Sequence, residues 1–206
     1  MKQPDQKIYL ASKSPRRREL LRQIGVEFEL LLLRDHTPIG PEVREDVLPG
    51  EDPFDYVERV TNDKACLAQK TMLWRKLPMR PILAADTTVV VDGQILGKPA
   101  NIAEAATMLR LLSGRTHQVL TCVAVRHQQE SWRITQHSDV AFVELSPETI
   151  AAYCATSEPY DKAGGYAIQG LAALFVKDMS GSYSGIMGLP LFETAELLQR
   201  AGLRIL

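Results

Sequence analysis

The chain has 206 residues, of which 45% are hydrophobic and 24% are charged, and its formal net charge is -1. These values are typical of a soluble globular protein. Without a net positive charge, no overall field draws the chain onto nucleic acid, so we expect no nucleic-acid partner. We also expect no membrane partner, because no apolar run approaches the roughly 20 residues of a spanning helix.

The three cysteines, Cys66, Cys122 and Cys154, are far apart and odd in number. No C-x-x-C pair is present, which argues against a zinc site or a disulfide framework. The first residues carry no apolar core of the kind a signal peptide has. We therefore expect reduced thiols in a cytoplasmic protein. The length of 206 residues suits one large domain, over residues 1–206, or two closely packed lobes.

A strand, a polar loop and a helix are predicted over residues 8–24. Ser14 suits the N-cap of that helix, and Pro15 suits its first position. Residues 16–18 are all arginine and fall in the first turn, where free backbone N–H groups already make the helix end positive. This arrangement is typical of a phosphate site. The alternative is an amphipathic helix with a solvated basic face.

Residues 26–33 are predicted to form a strand, and residues 34–52 a long stretch without regular structure. Stretches of that length in compact domains are usually functional or disordered. A second helix is predicted to begin at Pro53, with Asp52 as its cap, and to run to about Met72.

The later elements mix strands and helices without strict alternation, which indicates an α/β fold with a mixed twisted sheet and flanking helices. Strands are predicted over 81–86, 87–91, 94–97, 116–126, 134–145 and 171–176, and helices over 101–112, 147–156 and 189–201.

Asp86 is the best catalytic candidate, because it ends an apolar strand and functional groups in α/β folds gather at strand ends. Asp92-Gly93 predicts a two-residue type I′ hairpin turn. That turn pairs Thr87 with Lys98 and so brings Lys98 beside Asp86. The two charges form either a structural ion pair or half of a metal–phosphate site, and a lone strand-end aspartate is more often an ordinary turn residue.

Other polar residues are weak signals when each is taken alone. Lys64 is typical of a solvated helix position, and residues 161–166 are typical of a surface turn. A lone glutamine such as Gln169 is weak evidence of any role. The four histidines have no ligand spacing, and no role is assigned to them. No Walker P-loop, GxGxxG, GxSxG or HExxH motif is present, which argues against the commonest NTPases, NAD enzymes and serine or zinc hydrolases.

Seven short segments are informative as an ordered set that covers nearly the whole chain. They are Ser12-Lys13-Ser14-Pro15-Arg16-Arg17, Lys64-Ala65, Ala85-Asp86-Thr87, Gly97-Lys98-Pro99, Asp161-Lys162-Ala163-Gly164, Ile168-Gln169-Gly170 and Met187-Gly188-Leu189-Pro190. In this order they resemble the Maf family of nucleoside triphosphate pyrophosphatases. The resemblance implies a single Maf-like domain with two lobes around a nucleotide-binding cleft, often assembled as a homodimer.

The resemblance also implies an activity, which is cleavage of a nucleoside triphosphate between its α- and β-phosphates. Asp86 is then the proton acceptor, and the other implied roles fall to a small set of residues. The substrate-binding residues are Ser12, Arg16, Arg17, Lys64 and Lys98, and the specificity residues are Arg16, Thr87 and Gln169. With Thr87 and Gln169 at these positions, the chain resembles the subclass that prefers dTTP and UTP, rather than the one acting on 7-methyl-GTP.

The implied cofactor is a divalent metal cation, Mg²⁺ or Mn²⁺, with Asp86 as one ligand. The family usually carries a short acidic pair soon after the second strand, whereas this chain has Arg34-Asp35-His36-Thr37 there, within a longer loop. Either Glu42 or Glu45 is therefore expected to supply the second carboxylate. Basic residues would neutralise the roughly four charges of the triphosphate, while Asp86 orients or deprotonates the attacking water.

Two rival functions remain open. One is a nucleotide-binding regulator, for example of cell division, with little turnover, and release of pyrophosphate separates it from the enzyme. The other is a pyrophosphatase directed at purines, which a panel of nucleotide substrates would exclude.

Overall fold

The computed structural model describes residues 6–32 and 43–206, so Asp35 and Glu42 lie outside the described residues. The strands are β1 (Ile8–Leu10), β2 (Phe28–Leu30), β3 (Ile82–Val91), β4 (Gln94–Leu96), β5 (Thr116–His127), β6 (Glu130–Phe142) and β7 (Val176–Ser180). The α-helices are α1 (Pro15–Gln23), α2 (Pro53–Trp74), α3 (Ile102–Leu112), α4 (Pro147–Cys154), α5 (Tyr183–Ile186) and α6 (Leu191–Arg200). Short 3₁₀ helices cover Glu158–Asp161, Ala163–Gly165 and Leu171–Phe175.

The strands form one mixed sheet in the order β2-β1-β3-β5-β6-β7, with β4 paired to β3 outside this path. β1 is parallel to both β2 and β3, whereas the pairs β3–β4, β3–β5, β5–β6 and β6–β7 are antiparallel. The predicted α/β class with a mixed sheet and flanking helices is therefore confirmed. The two lobes and the single domain over 1–206 stay predictions.

Helices cover both faces of the sheet. Alternate side chains of a strand point to opposite faces, so successive residues of β3 contact different helices. Ala84 and Val90 of β3 belong to the buried clusters that include α2. Leu83 and Ala85 belong to the cluster that includes α1 and α6, and Val89 packs with α3. The central strand β3 is thus buried on both sides, which explains its nearly continuous apolar sequence.

The predicted helix starts are confirmed by their capping hydrogen bonds. The Ser14 hydroxyl accepts from the Arg17 backbone N–H at 3.4 Å, and the Asp52 carboxylate accepts from the Phe54 N–H at 2.8 Å. The Asn101 side chain accepts from the Glu104 N–H at 3.0 Å. Each cap satisfies a backbone donor that the helix itself leaves unpaired, which is why these starts are readable from sequence.

Three predicted strands, 81–86, 87–91 and 171–176, are wrong in their extent. Residues 81–86 and 87–91 form a single strand, because β5 pairs with it continuously from Ile82 to Val90. Residues 171–175 form a 3₁₀ helix instead of a strand, and β7 begins only at Val176. There the Glu158 carboxylate accepts hydrogen bonds from the backbone N–H groups of Leu171 at 2.9 Å and Ala172 at 3.1 Å, so these donors are used in a turn.

The cysteines are all free, with Cys122 and Cys154 buried in the core and Cys66 half-buried. Within residues 6–32 and 43–206, no helix has both the length and the apolar character needed to cross a bilayer.

Candidate functional site

The candidate site lies where one edge of β3 is open. On that edge β1 pairs with β3 at Ile82 and Leu83, and β4 pairs with it only from Val89 to Val91. The edge between these two pairings faces a cavity of about 570 Å³, a volume typical of small-molecule sites. Every described residue for which a site role is predicted lines this cavity. They are Ser12, Arg16, Arg17, Glu45, Lys64, Asp86, Thr87, Lys98 and Gln169.

Asp86 lies in the middle of β3, so the prediction that it ends a strand is wrong. Its carboxylate Oδ1 lies 2.6 Å from the Lys64 Nζ, and the same Nζ lies 2.7 Å from the Glu45 Oε1. Lys64 therefore bridges two carboxylates. The interpretation of Lys64 as an ordinary solvated lysine is also wrong, because its side chain is only 17% exposed and α2 directs it at the strand.

Contacts from α2 hold the backbone around Glu45. The Tyr56 hydroxyl donates to the Glu45 carbonyl at 2.9 Å. Arg59 donates to the carbonyls of Arg44 and Asp46, each also at 2.9 Å. Three successive carbonyls are thus fixed by one helix. Sequence reasoning missed Tyr56 and Arg59, since nothing in the local sequence shows which segment a helix surface will hold.

The charges at this bridge favour the ionised form of Glu45. Burial by itself raises the pKa of Glu45, but the Lys64 ammonium outweighs it, and Lys98 and Arg17 add to the effect, so the pKa lies below its ordinary value. Glu45 is therefore negative at neutral pH. An ionised Glu45 pairs with the Lys64 ammonium and has the oxygen chemistry that a divalent cation requires.

Lys98 reaches the cavity by a different route from the predicted one. The hairpin turn at Asp92-Gly93 and the Val91–Gln94 pair are confirmed, but the ladder ends at the Val89–Leu96 pair, so the predicted pairing of Thr87 with Lys98 is wrong. Beyond Leu96 the chain leaves β3, and the Gly97 carbonyl accepts from the Gly164 N–H at 3.0 Å. Lys98 forms no ion pair with a described residue and is exposed at the cavity.

The two predicted phosphate-binding arginines have different environments. Arg17 donates from Nε to the Gly188 carbonyl at 2.7 Å and from a terminal nitrogen to the Ala85 carbonyl at 2.7 Å. It also donates to the hydroxyls of Ser12 at 3.1 Å and Thr87 at 3.2 Å. Arg16 is half-buried at the cavity and makes no side-chain hydrogen bond to a described residue. Arg16 is thus the more available of the two for a ligand.

Thr87 points to the sheet face opposite Asp86, because the two are consecutive in one strand. Its hydroxyl accepts from Arg17 and lies 3.0 Å from the Thr121 hydroxyl, which in turn lies 2.8 Å from the Gly185 carbonyl. A carbonyl only accepts, so Thr121 donates to Gly185 and Thr87 donates to Thr121. Sequence reasoning missed Thr121, because its position opposite Thr87 depends on the β3–β5 register.

The glycine-rich segment forms one wall of the cavity and is not an ordinary surface turn. Gly164 has φ +68°, and a Cβ there would lie 2.9 Å from the Val89 side chain. This close approach lets residues 166–169 line the cavity. Gln169 is exposed at the cavity, and Gly170 makes room for the Glu158 carboxylate, which a Cβ would approach to 2.2 Å.

The residues present fit a divalent metal cation. In the described part of the chain no three His, Cys, Asp or Glu side chains form a metal cluster. However, Asp86 and Glu45 both have a carboxylate oxygen within 2.7 Å of the Lys64 Nζ. Mg²⁺ is usually bound by one or two carboxylates together with substrate phosphates, so this pair is a suitable protein contribution.

These features define an α/β protein with a cavity at an opening in its sheet, lined by both cationic side chains and carboxylates. A family model described as "Maf-like protein" matches residues 7–201, and the chain belongs to this family. Proteins named "dTTP/UTP pyrophosphatase" are similar over nearly the full length. That of Dechloromonas aromatica is 52% identical, covering 96% of this chain and 98% of its own. That of Ralstonia nicotianae is 54% identical, covering 98% and 97%. That of Nitrosomonas europaea is 50% identical, covering 96% of each.

Proposed function

We propose that this protein hydrolyses dTTP and UTP to the nucleoside monophosphate and pyrophosphate. The observation that carries the proposal is the placement of Asp86, held by Lys64 in a cavity whose walls present Arg16 and Lys98. The names of the relatives support the same activity. The chain is then a nucleoside triphosphate pyrophosphatase, a hydrolase of phosphoric anhydride bonds.

The geometry suits attack of water on a bound triphosphate. Arg16 and Lys98 approach the cavity from α1 and from the segment after β4, so they are placed to neutralise and orient the phosphates. Asp86 accepts the proton of the attacking water. Lys64 holds the Asp86 carboxylate in position, and Lys98 retains the charge of the leaving pyrophosphate.

We propose Asp86 and Glu45 as the residues that hold Mg²⁺ or Mn²⁺. When bound, such a cation polarises water and neutralises phosphate charge. Asp86 and Glu45 would hold this cation, whose charge would replace that of the Lys64 ammonium beside their oxygens, and turnover would depend on it. Chelation by EDTA is therefore expected to abolish turnover, and added Mg²⁺ or Mn²⁺ is expected to restore it.

The decisive experiment identifies both the products and the phosphorus attacked. Hydrolysis of dTTP in H₂¹⁸O is followed by chromatography and mass spectrometry. Attack at the α-phosphorus places the label in dTMP and releases unlabelled pyrophosphate, whereas attack at the β-phosphorus labels the pyrophosphate. Diphosphate and orthophosphate as the main products would refute the proposal.

A regulator of cell division with little turnover is not favoured. Near-absence of pyrophosphate release, with tight nucleotide binding, would be the result that supports it. A panel that includes purine triphosphates tests the specificity in the same assay.

We also propose that the protein is a cytoplasmic homodimer. The resemblance to the family supports the dimer, and three free cysteines suit a reducing compartment. Light scattering is expected to give twice the chain mass of 22.9 kDa.

A further inference from the structure

His117 is a buried histidine whose polar contact leads towards the cavity. It lies on β5 with 1% of its surface exposed, and its Nε2 is 2.8 Å from the Tyr166 hydroxyl. Its Nδ1 is buried and has no hydrogen-bond partner among the described residues. Burial lowers the pKa of His117 to about 4, so the ring is neutral near pH 7. An unpartnered buried nitrogen costs stability, so core packing alone does not explain a histidine here.

Tyr166 is the first residue of the segment 166–169, which lines the cavity. Its ring packs edge-to-face against His117 at 5.3 Å and Phe142 at 4.9 Å, measured between ring centroids. The two ends of the segment are held by hydrogen bonds: the Gly164 N–H donates to the Gly97 carbonyl at 3.0 Å, and the Glu158 carboxylate accepts from the N–H groups of Leu171 and Ala172. The side chains of Tyr166 and Ile168 both reach the core cluster, and that of Tyr166 adds a hydrogen bond there.

We propose that His117 and Tyr166 are positioning residues for recognition of the nucleotide base. Their hydrogen bond fixes how deeply the Tyr166 ring lies between the rings of His117 and Phe142. It thereby sets the distance of residues 166–169 from the rest of the cavity. Gln169, at the end of this segment, is thereby held where it can pair with a pyrimidine. This inference rests on the proposed function.

The effect is expected in binding of the base, not in the chemical step. Contacts to a base are made equally in the ground state and the transition state, so their loss raises KM and leaves kcat unchanged. The phosphate-binding cations Arg16 and Lys98 stand on other elements. Binding of inorganic tripolyphosphate, which has no base, therefore tests the phosphate part of the cavity by itself.

The test compares Tyr166→Phe with the matched control Tyr160→Phe. The Tyr160 hydroxyl donates to the Cys154 carbonyl at 2.6 Å, so the control loses a comparable hydrogen bond near the same loop without touching the cavity lining. Tyr166→Phe is expected to raise KM for dTTP about fivefold or more, with kcat within about twofold. The Kd of tripolyphosphate, from calorimetry, is expected to stay within about twofold, and Tyr160→Phe is expected to change neither constant.

A double-mutant cycle completes the test. His117→Phe removes the same hydrogen bond, and the double variant is expected to show no further rise in KM, because both changes break one interaction. If Tyr166→Phe does not fold, as judged by circular dichroism, His117→Phe takes its place in the comparison. An unchanged KM, or an equal rise in Tyr160→Phe, would overturn the inference. Failure of the proposed function shows separately, as wild-type protein that releases no pyrophosphate; the Kd of dTTP then replaces KM in the same comparison.

Discussion

Arg17 donates a 2.7 Å hydrogen bond to the backbone carbonyl of Ala85, the residue before Asp86. Two residues earlier on the same edge of β3, the Leu83 carbonyl accepts from the Ala11 N–H, at the end of β1. The guanidinium therefore takes the place of a strand neighbour where β1 has ended. The Arg17 side chain thus covers the exposed edge of the sheet and links the segment 12–17 to the strand that carries Asp86.

Arg17→Ala is expected to lower the stability of the ligand-free protein by about 1–3 kcal/mol, because the carbonyls of Ala85 and Gly188 lose their partner. Arg16→Ala is the matched control and is expected to be neutral or slightly stabilising, since it removes a cation from a helix N-terminus. Both variants are expected to lose activity. Thermal unfolding of the two proteins decides the matter, and equal melting temperatures would contradict the distinction.

Asp86→Asn is expected to retain the fold and to lose activity by about 10²–10⁴-fold, because an amide does not accept the proton of the attacking water. Lys64 keeps Glu45 as a partner, so stability should change little. Asp92→Asn, in the exposed hairpin turn, controls for the loss of one aspartate charge. Pyrophosphate release is measured for each. Turnover near that of wild type in a folded Asp86→Asn protein would exclude the role.

In Gln169→Glu, kcat/KM for dTTP and UTP is expected to fall roughly 5- to 150-fold, which corresponds to about 1–3 kcal/mol of lost transition-state binding. A Gln amide offers one donor and one acceptor, which match the O4 and N3–H of these bases, whereas a carboxylate only accepts. Activity on 7-methyl-GTP is expected to rise only slightly, because Thr87 is unchanged. Gln199→Glu, exposed on α6, is the control. If the ratio of kcat/KM values stays the same, Gln169 does not read the base.

Gly164→Ala is expected to destabilise the protein more than Gly25→Ala does. Both glycines have similar backbone angles, φ +68° and φ +70°, so both pay the strain of a left-handed conformation. Only at Gly164 would the new Cβ meet another group, the Val89 side chain at 2.9 Å. The difference in unfolding free energy in urea therefore measures the close approach, expected at about 1–3 kcal/mol. Equal losses would show that the loop moves aside without cost.

Acid is expected to destabilise the protein through His117. Its pKa is about 4 in the folded state against an ordinary 6.5, so the folded state disfavours the protonated ring. The contribution of neutral His117 to the free energy of unfolding is fully present above pH 6.5. It is lost as the pH falls towards 4, by about 3 kcal/mol in total. His117→Gln removes this titration while the carboxylates remain. Its unfolding free energy should fall less steeply than that of wild type between pH 6.5 and 4, and parallel curves would contradict the assignment.

The amino-acid sequence by itself determined the local features of this protein. The N-caps at Ser14, Asp52 and Asn101 and the turn at Asp92-Gly93, where both residues have positive φ, were readable because each depends on a few neighbouring residues. The ordered motifs likewise indicated the family and most of the residues that line the cavity.

Only the tertiary structure decided which of those residues meet. Lys64 is 22 positions from Asp86, and Arg17 is 171 positions from Gly188, so neither pairing leaves a local signal. The partners of Asp86 follow from how α2 packs on β3, and the extent of β3 follows from its register with β5. These contacts depend on which faces of the helices and strands are buried against each other. The pattern of apolar residues predicts those buried faces, but the spacing of polar residues along the chain does not predict which polar groups meet.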